Sequence, residues 1–292
     1  MGTIQFSSHP ITIAVGLTAL LAYPLVCGLN GQDHSRRRPI TMLYRSGLKS
    51  SSVRQKRLFL LGWLSLVIAN YWPVADAAQH DLLLARLMQQ MLVTLAASPL
   101  ILLSLPRASI AALTRPHLVD TMLVRLTRPV PAALIFTATA IFAMTPAMVD
   151  LEVKSVWYEQ AVQLTLLAAS SVGWLPILRL VPGVKQLSTA ARLAYLFALS
   201  LLPSVPAIVL IFAKRPLYPS YIHSSLGLSS VADQQLTGAL AKIGTLGIFW
   251  GVAIAILLKA DKDEALGLDP DPMTLDDVQR EFDRSATQPP TE

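Results

Sequence analysis

The sequence has few of the residues on which most catalytic and metal-binding sites depend. It contains one cysteine, Cys27, and five histidines among 292 residues. A single cysteine excludes an internal disulfide and any zinc or iron–sulfur site built from several thiolates. The hydrolase pattern Gly-x-Ser-x-Gly, the zinc pattern His-Glu-x-x-His and the phosphate loop are also missing. We therefore expect a protein that is not an enzyme.

Charge is scarce as well. Charged residues make up 14% of the chain and hydrophobic residues 53%, whereas a soluble domain carries about 25% charge. Apolar runs near the roughly 20 residues that a bilayer requires recur along the chain. They predict an all-α integral membrane protein, a seven-transmembrane-helix bundle, with spans at about 11–29, 58–74, 82–105, 130–149, 159–180, 192–213 and 233–259. The first run lacks the features of a removed signal peptide, so we expect it to remain as a helix.

Positive charge is distributed very unevenly between the connections. Alternate connections, together with the C-terminal tail, carry 19 Lys and Arg, and the opposite set carries 3. Cytoplasmic loops are enriched in these residues. The N-terminus is therefore predicted outside, and the acidic tail 260–292 is predicted cytoplasmic. This placement also argues against a nucleic-acid partner.

The predicted outer ends of spans three, five and seven carry polar residues. Charged groups in a bilayer are costly and are by default candidates for a functional site. Neighbours three or four apart share a helix face, so we expect Arg86 to pair with Glu159 or Asp233 in an outer cluster. Its members are Arg86, Gln89, Gln90, Glu159, Gln160, Gln163, Asp233, Gln234 and Gln235. The alternative is that Arg86 extends outward to lipid headgroups.

Lys242 is a second intramembrane cation, about 14 Å along the last span from Asp233 at 1.5 Å per residue. We expect it to face the bundle interior and reach a carboxylate or carbonyl groups. A small-ion or proton transporter that uses Arg86, Glu159 and Lys242 stays open, although no inverted repeat is evident.

Around these residues the chain resembles the CtaG-type cytochrome c oxidase assembly factors. The similarity is strongest in "RPLYPSY" and "LGLSSVADQQLTG", within residues 215–238, and continues in "PLILLSLP" and "ARLAYLF". The family pattern in span three is Ala-His-x-x-Gln-His-Met-Leu, and in span five His-x-x-Glu-His. The resemblance implies a multi-pass protein of a bacterial-type inner (plasma) membrane, associated with a haem–copper cytochrome c oxidase.

This sequence departs from the family pattern where metal ligands would lie. Arg86 and Gln90 stand at the two histidine positions of span three, and Val156 and Gln160 at those of span five. Arginine cannot coordinate a cation, and a glutamine amide is a poor ligand for copper. No cofactor is expected, and copper is the one candidate that the resemblance suggests. Weak alternative ligands are Met88, Met91, His80 and His223.

The resemblance leaves two roles open. The protein is either an assembly factor or scaffold, or a permanent accessory subunit of a respiratory oxidase or supercomplex. The basic loop from Arg36 to Arg57 predicts binding to anionic lipids, at about 1 kcal/mol per cation near the surface. In the tail, Val278 and Phe282 share one face of a predicted short helix over 275–284.

Overall fold

The computed structural model describes residues 10–28, 51–71, 74–114, 116–181, 186–221 and 227–268, and all regular structure within them is helical. The loop 29–50, the tail beyond residue 268 and His223 lie outside the described residues. The elements are α1 Pro10–Cys27, α2 Val53–Asn70, α3 Val74–His80, α4 Leu83–Met91, a π-helical segment Leu92–Ala97, α5 Ser98–Ser104, α6 Arg107–Leu113, α7 His117–Leu126, α8 Pro129–Ala143, α9 Pro146–Lys154, α10 Val156–Leu178, α11 Thr189–Leu201, α12 Ser204–Phe212, a 3-10 turn Pro219–Tyr221 and α13 Ser230–Ala265.

Among the described residues, four helical stretches are long and apolar enough to cross a membrane. They are Leu83–Ser104, Val156–Leu178, Thr189–Phe212 and Ser230–Ala265. A fifth candidate is the pair Val119–Leu126 and Pro129–Ala143, which is bent by 83°. The described part of α1 includes a shorter apolar stretch, Gly16–Cys27, and α2 carries three cations among its first five residues. The all-helical membrane prediction is confirmed, with four to five candidate spans.

Several helix ends differ from the predicted span boundaries, mostly beside prolines. Helix α2 ends at Asn70, and α3 begins separately at Val74. Span four ends at Ala143, because Pro146 opens α9, and proline is well suited to the first turn of a helix. The sixth predicted span is divided at Pro203 between α11 and α12. The π-helical segment Leu92–Ala97 widens the turn just before Pro99.

The core lies where the π-helical segment, α8, α10, α11 and α13 face one another. Its buried members include Leu95, Phe136, Trp174, Tyr195 and Phe249. The indole N–H of Trp174 donates to the carbonyl of Thr94 at 2.9 Å, and the Tyr195 hydroxyl donates to that of Gly173 at 2.9 Å. The π-helical segment is thereby joined to α10, and α10 to α11, which fixes the helices that carry the polar residues.

The contact between α12 and α13 depends on a glycine. A Cβ at Gly238 would lie 2.6 Å from the carbonyl oxygen of Ala207 and 2.9 Å from Cβ of Leu210, so a side chain cannot enter without moving backbone. We expect Gly238→Ala to cost about 1–3 kcal/mol of stability, as overpacking generally does. Gly247→Ala is the matched control, because nothing lies within 4 Å of its Cβ position. Thermal unfolding in detergent compares the two, and equal melting temperatures would contradict the close packing.

Candidate functional site

Polar side chains from five elements meet at one end of the bundle. They come from the first turns of α4, α10 and α13, from α9 and from the turn Pro219–Tyr221. We call Arg86, Gln89, Glu152, Glu159, Gln163, Tyr221 and Asp233 the outer polar cluster. All seven are buried, and Gln89, Glu152 and Glu159 have no exposed surface at all. The predicted convergence of the three helix starts is therefore seen in the structure.

Arg86 forms a buried ion pair with Glu152 of α9, through Nη2 and Oε2. The prediction that Arg86 pairs with Glu159 or Asp233 was wrong. The predicted spans leave residues 150–158 in a connection, whereas in the structure Pro146–Lys154 forms α9 and brings Glu152 inward. The alternative in which Arg86 reaches headgroups also fails, since only 3% of its surface is exposed. A buried charge is stable only when paired and hydrogen-bonded, and Glu152 supplies that partner.

Glu159 is held by a glutamine of the neighbouring helix. The side-chain amide of Gln89 donates to Oε1 of Glu159 at 3.0 Å. Gln163 lies one turn further along α10 on the same face and is also buried. This bond joins α4 to α10 beside the ion pair, so spans three and five are neighbours as expected.

Asp233 binds the backbone at the start of α4. Its Oδ2 accepts the N–H of Leu83 at 2.8 Å and its Oδ1 accepts the N–H of Leu84 at 3.3 Å. Because the first N–H groups of a helix have no partner inside the helix, a carboxylate from α13 satisfies two of them and complements the helix dipole. No side chain of α4 itself provides such a cap.

Two tyrosines close the cluster from the loop before α13. The Tyr221 hydroxyl donates to the carbonyl of Ala78, and the Tyr218 hydroxyl donates to that of Met144 at 2.6 Å. Burial raises the pKa of Tyr221 to about 12, although the charge of Arg86 acts to lower it. Burial likewise raises the pKa of Tyr218 to about 12. Both hydroxyls therefore remain protonated donors at physiological pH.

The remaining predicted cluster residues have other positions. Gln90 donates to the carbonyl of Ala140 at 3.3 Å, and its side chain lines a separate cavity with Lys242. Gln160 is buried on α10. Gln234 of α13 is buried against the loop 213–221, and its side-chain oxygen accepts the N–H of Leu217 at 2.8 Å. Gln235 is exposed and donates to the carbonyl of Ala213 at 3.2 Å, so it is not part of the buried cluster.

Of the four weak metal candidates, Met88 and Met91 have side chains that the structure describes. Met88 is 40% exposed, whereas Met91 packs into the core with its methyl group against Gly244. His80 ends α3, but its side chain, like the whole of His223, lies outside the described residues. Within the described part of the chain, no three His, Cys, Asp or Glu side chains are grouped as a metal site would need.

The cluster contains more acids than bases. Three buried acids, Glu152, Glu159 and Asp233, belong to the cluster, and Arg86 is its one buried guanidinium among the described residues. Four buried oxygens, Oε1 of Gln89, Glu152 and Gln163 and Oε2 of Glu159, have no hydrogen-bond partner in the described protein. Buried polar atoms of this kind in proteins are commonly satisfied by ordered water. The arrangement can hold helices together and bind water.

The model of the cytochrome c oxidase caa3 assembly factor family matches residues 36–261, about three quarters of the chain. The chain belongs to this family. No curated protein and no solved structure shows a significant match. The matched range contains every residue of the outer polar cluster and ends within α13. Membership implies association with the oxidase and suggests a non-enzymatic role in a multi-pass membrane protein.

Sequence reasoning missed Glu152, the residue that forms the ion pair with Arg86. The available signal was the periodicity of "PAMVDLEVK", in which Val149 and Glu152 lie three apart and both are buried. It also missed Asp150, which accepts the hydroxyl of Ser220 and so attaches α9 to the loop before α13.

We expect Arg86→Met to destabilise the protein by about 3–5 kcal/mol, because it leaves the Glu152 carboxylate buried without a counter-charge. The double variant Arg86→Met with Glu152→Gln removes both charges and should recover part of that loss. Arg215→Ala is the matched control, since Arg215 is exposed. Melting temperatures of the four proteins measure the effect. Equal loss in the single and double variants would show that packing matters here and charge pairing does not.

A second prediction concerns the cap on α4. Asp233→Ala leaves the N–H groups of Leu83 and Leu84 without their acceptor, at an expected cost of about 2 kcal/mol. Amide hydrogen exchange should accelerate at those two residues first. Gln235→Ala, two positions away and exposed, should change neither quantity. Unchanged exchange at Leu83 in the Asp233 variant would contradict the capping role.

Proposed function

We propose that this protein is a non-enzymatic assembly factor or scaffold for a haem–copper cytochrome c oxidase of a bacterial-type inner membrane. Family membership over residues 36–261 is the observation that carries this proposal. The buried outer polar cluster supports a scaffold role, because its contacts join helices to one another instead of presenting a reactive group. The partner would be a membrane subunit of the oxidase.

We further propose seven spans, with the N-terminus outside and the C-terminus cytoplasmic. Helices α1 and α2 are each 18 residues long, which corresponds to about 27 Å. They pack together through stacked Tyr23 and Phe59 rings, 3.8 Å apart, and α2 lies against the span Leu83–Ser104. The cations in the first turn of α2 belong with the basic loop 36–57, where we propose contact with anionic lipids.

In this proposal copper handling is absent. The resemblance puts metal-binding histidines at the positions of Arg86, Gln90, Val156 and Gln160. Arg86 brings a permanent positive charge there, and Glu152 already neutralises it. A guanidinium repels a metal cation and cannot ligate one. A bound metal would hold the outer helix ends together by coordination. In this chain the ion pair holds them together by electrostatic attraction.

Two other roles have weaker support. An accessory subunit would use the same surfaces but stay bound to the finished oxidase. A small-ion or proton transporter would need a polar route through the bilayer. The cluster and Lys242 lie in separate surroundings, since Lys242 lines an apolar cavity below α4's first turn. This separation favours the scaffold over the transporter.

The proposal is tested by tagging the chain and purifying it in mild detergent from cells that are making oxidase. We expect oxidase subunits to co-purify in amounts that fall as assembly finishes, and we expect less than 0.1 copper per chain, an order-of-magnitude bound for a site without ligands. An untagged strain is the control. Equimolar recovery with active oxidase would replace the scaffold by an accessory subunit. Stoichiometric copper would overturn the metal-free account, and a deletion strain with normal oxidase would overturn both.

A further inference from the structure

Helix α7 makes a sharp corner with α8, the helix that follows it in the chain. The segments Val119–Leu126 and Pro129–Ala143 are both helical, and their axes are bent by 83°. Pro129 opens α8, and a proline has no N–H group with which to continue the hydrogen bonds of the preceding helix. α7 is therefore almost perpendicular to α8, so its direction in the membrane follows from that of α8.

α8 runs along the span α10 in the opposite direction. Near the start of α8, Ala132 and Phe136 share a packed cluster with Ile177, which is close to the end of α10. Near the end of α8, Ala143 shares a second cluster with Leu166, which comes earlier in α10. Since α10 is apolar and long enough to cross a membrane, α8 also runs across the bilayer. α7, at almost a right angle to it, lies in the bilayer plane.

The two ends of α10 show the depth at which α7 lies. Trp157 and Tyr158, at its start, are 73% and 50% exposed, and these residue types are enriched at membrane–water interfaces. Arg179 follows the last residue of α10, about 33 Å from Trp157 at 1.5 Å per residue, close to the roughly 30 Å of a hydrocarbon core. Thr127, at the end of α7, lines a small pocket together with Arg179. α7 therefore lies at the membrane boundary opposite the outer polar cluster, which includes the start of α10.

The exposed face of α7 is apolar and has cations at its edge. Val119 and Met122 are three positions apart on one face and are 39% and 66% exposed. Asp120, the one acid of α7, is half-buried away from this face. Arg125 and Arg128 follow, and both are exposed. Apolar side chains beside arginines are typical of a helix in the membrane interface, where the apolar groups enter the acyl boundary and the cations meet anionic headgroups.

The exposed face of α7 borders an exposed face of α8. Val130 and Leu134, four positions apart on α8, are 66% and 58% exposed. Both belong to the part of α8 nearest the corner, which packs along α10. Apolar side chains that the described helices leave exposed at this depth of a bilayer are covered by acyl chains. The lipid-facing surface is thus continuous around the corner, and the leaflet that covers Val130 also reaches α7.

We propose that α7 is an in-plane membrane anchor. It inserts Val119 and Met122 into the leaflet opposite the outer polar cluster, and Arg125 and Arg128 bind the headgroup of an anionic phospholipid. The surface fits a lipid better than a soluble anion, because its cations adjoin apolar side chains that acyl chains cover. It is separate from the basic loop 36–57 and does not depend on the oxidase partner, so it is tested on the purified full-length chain.

The first experiment measures the depth of α7 in nanodiscs of phosphatidylglycerol and phosphatidylcholine. Met122→Cys carries a bimane label, in a Cys27→Ala background because Cys27 is the only cysteine of the chain. The quenchers are iodide in water and nitroxides placed near the headgroup end or near the methyl end of the acyl chain. We expect the nitroxide near the headgroup end to quench most, because an interfacial helix buries its apolar face about 5–10 Å deep. Leu266→Cys is the matched control, since Leu266 is 64% exposed just past the end of α13 and iodide should quench it most.

The second experiment tests the arginines with the same label at residue 122. Phosphatidylglycerol and phosphatidylcholine, each carrying the nitroxide near the headgroup end, are compared at the same low mole fraction. We expect phosphatidylglycerol to quench more, because each cation near an anionic surface contributes about fivefold in affinity. Arg125→Gln combined with Arg128→Gln should abolish this preference, while quenching by phosphatidylcholine remains. Arg215→Gln is the matched control, because Arg215 is exposed at the other end of the bundle, and it should keep the preference.

Three results would overturn the proposal. Strongest quenching by the nitroxide near the methyl end would place α7 in one continuous span with α8. Strongest quenching by iodide would place this face of α7 in water, where it would be available to a protein partner. An unchanged preference for phosphatidylglycerol in the double variant would show that Arg125 and Arg128 do not bind the headgroup.

Discussion

The packing of α4 against α9 depends on the buried ion pair between Arg86 and Glu152. In a medium of low dielectric constant, neither charge can stay ionised and buried without the other. The pair therefore requires α9 to lie against the start of α4, although the chain between them passes through several other helices. Gln89 with Glu159, and Tyr221 with Ala78, add bonds around the same point. This end of the bundle is held by polar contacts that have no substitute in lipid.

The last helix, α13, packs against the rest of the protein in a different way. α13 is 36 residues long, and little of its spanning segment is buried inside the protein. Near the start of α13, Asp233 caps α4 and Gly238 allows close contact with α12. Further along, Phe249 and Ile256 pack into the core. Where the α11–α12 break leaves the bundle loosely filled, the same helix presents Lys242 to a cavity. Close packing and open space thus alternate along one face of α13.

Much of the architecture could be predicted from particular residues. Apolar runs identified the helical spans because hydrocarbon accepts only segments whose backbone groups bond internally. The polar starts of α4, α10 and α13 were expected to meet, and they do. Their pairing was not predictable, because α9 was interpreted as a loop and Glu152 was therefore never considered. Gln235 was grouped with Gln234 from adjacency alone, yet one is exposed and the other buried.

The sequence alone determined the helical class, the membrane setting and the resemblance to an oxidase assembly family, since these depend on composition, run length and short patterns that local physics decides. Only the tertiary structure decided which acid neutralises Arg86, what Asp233 binds and that Lys242 faces a cavity. Each of these is a contact between residues far apart in the chain. A buried charge in a membrane protein needs a partner of opposite charge. The sequence alone does not show which of several acids the fold places beside it.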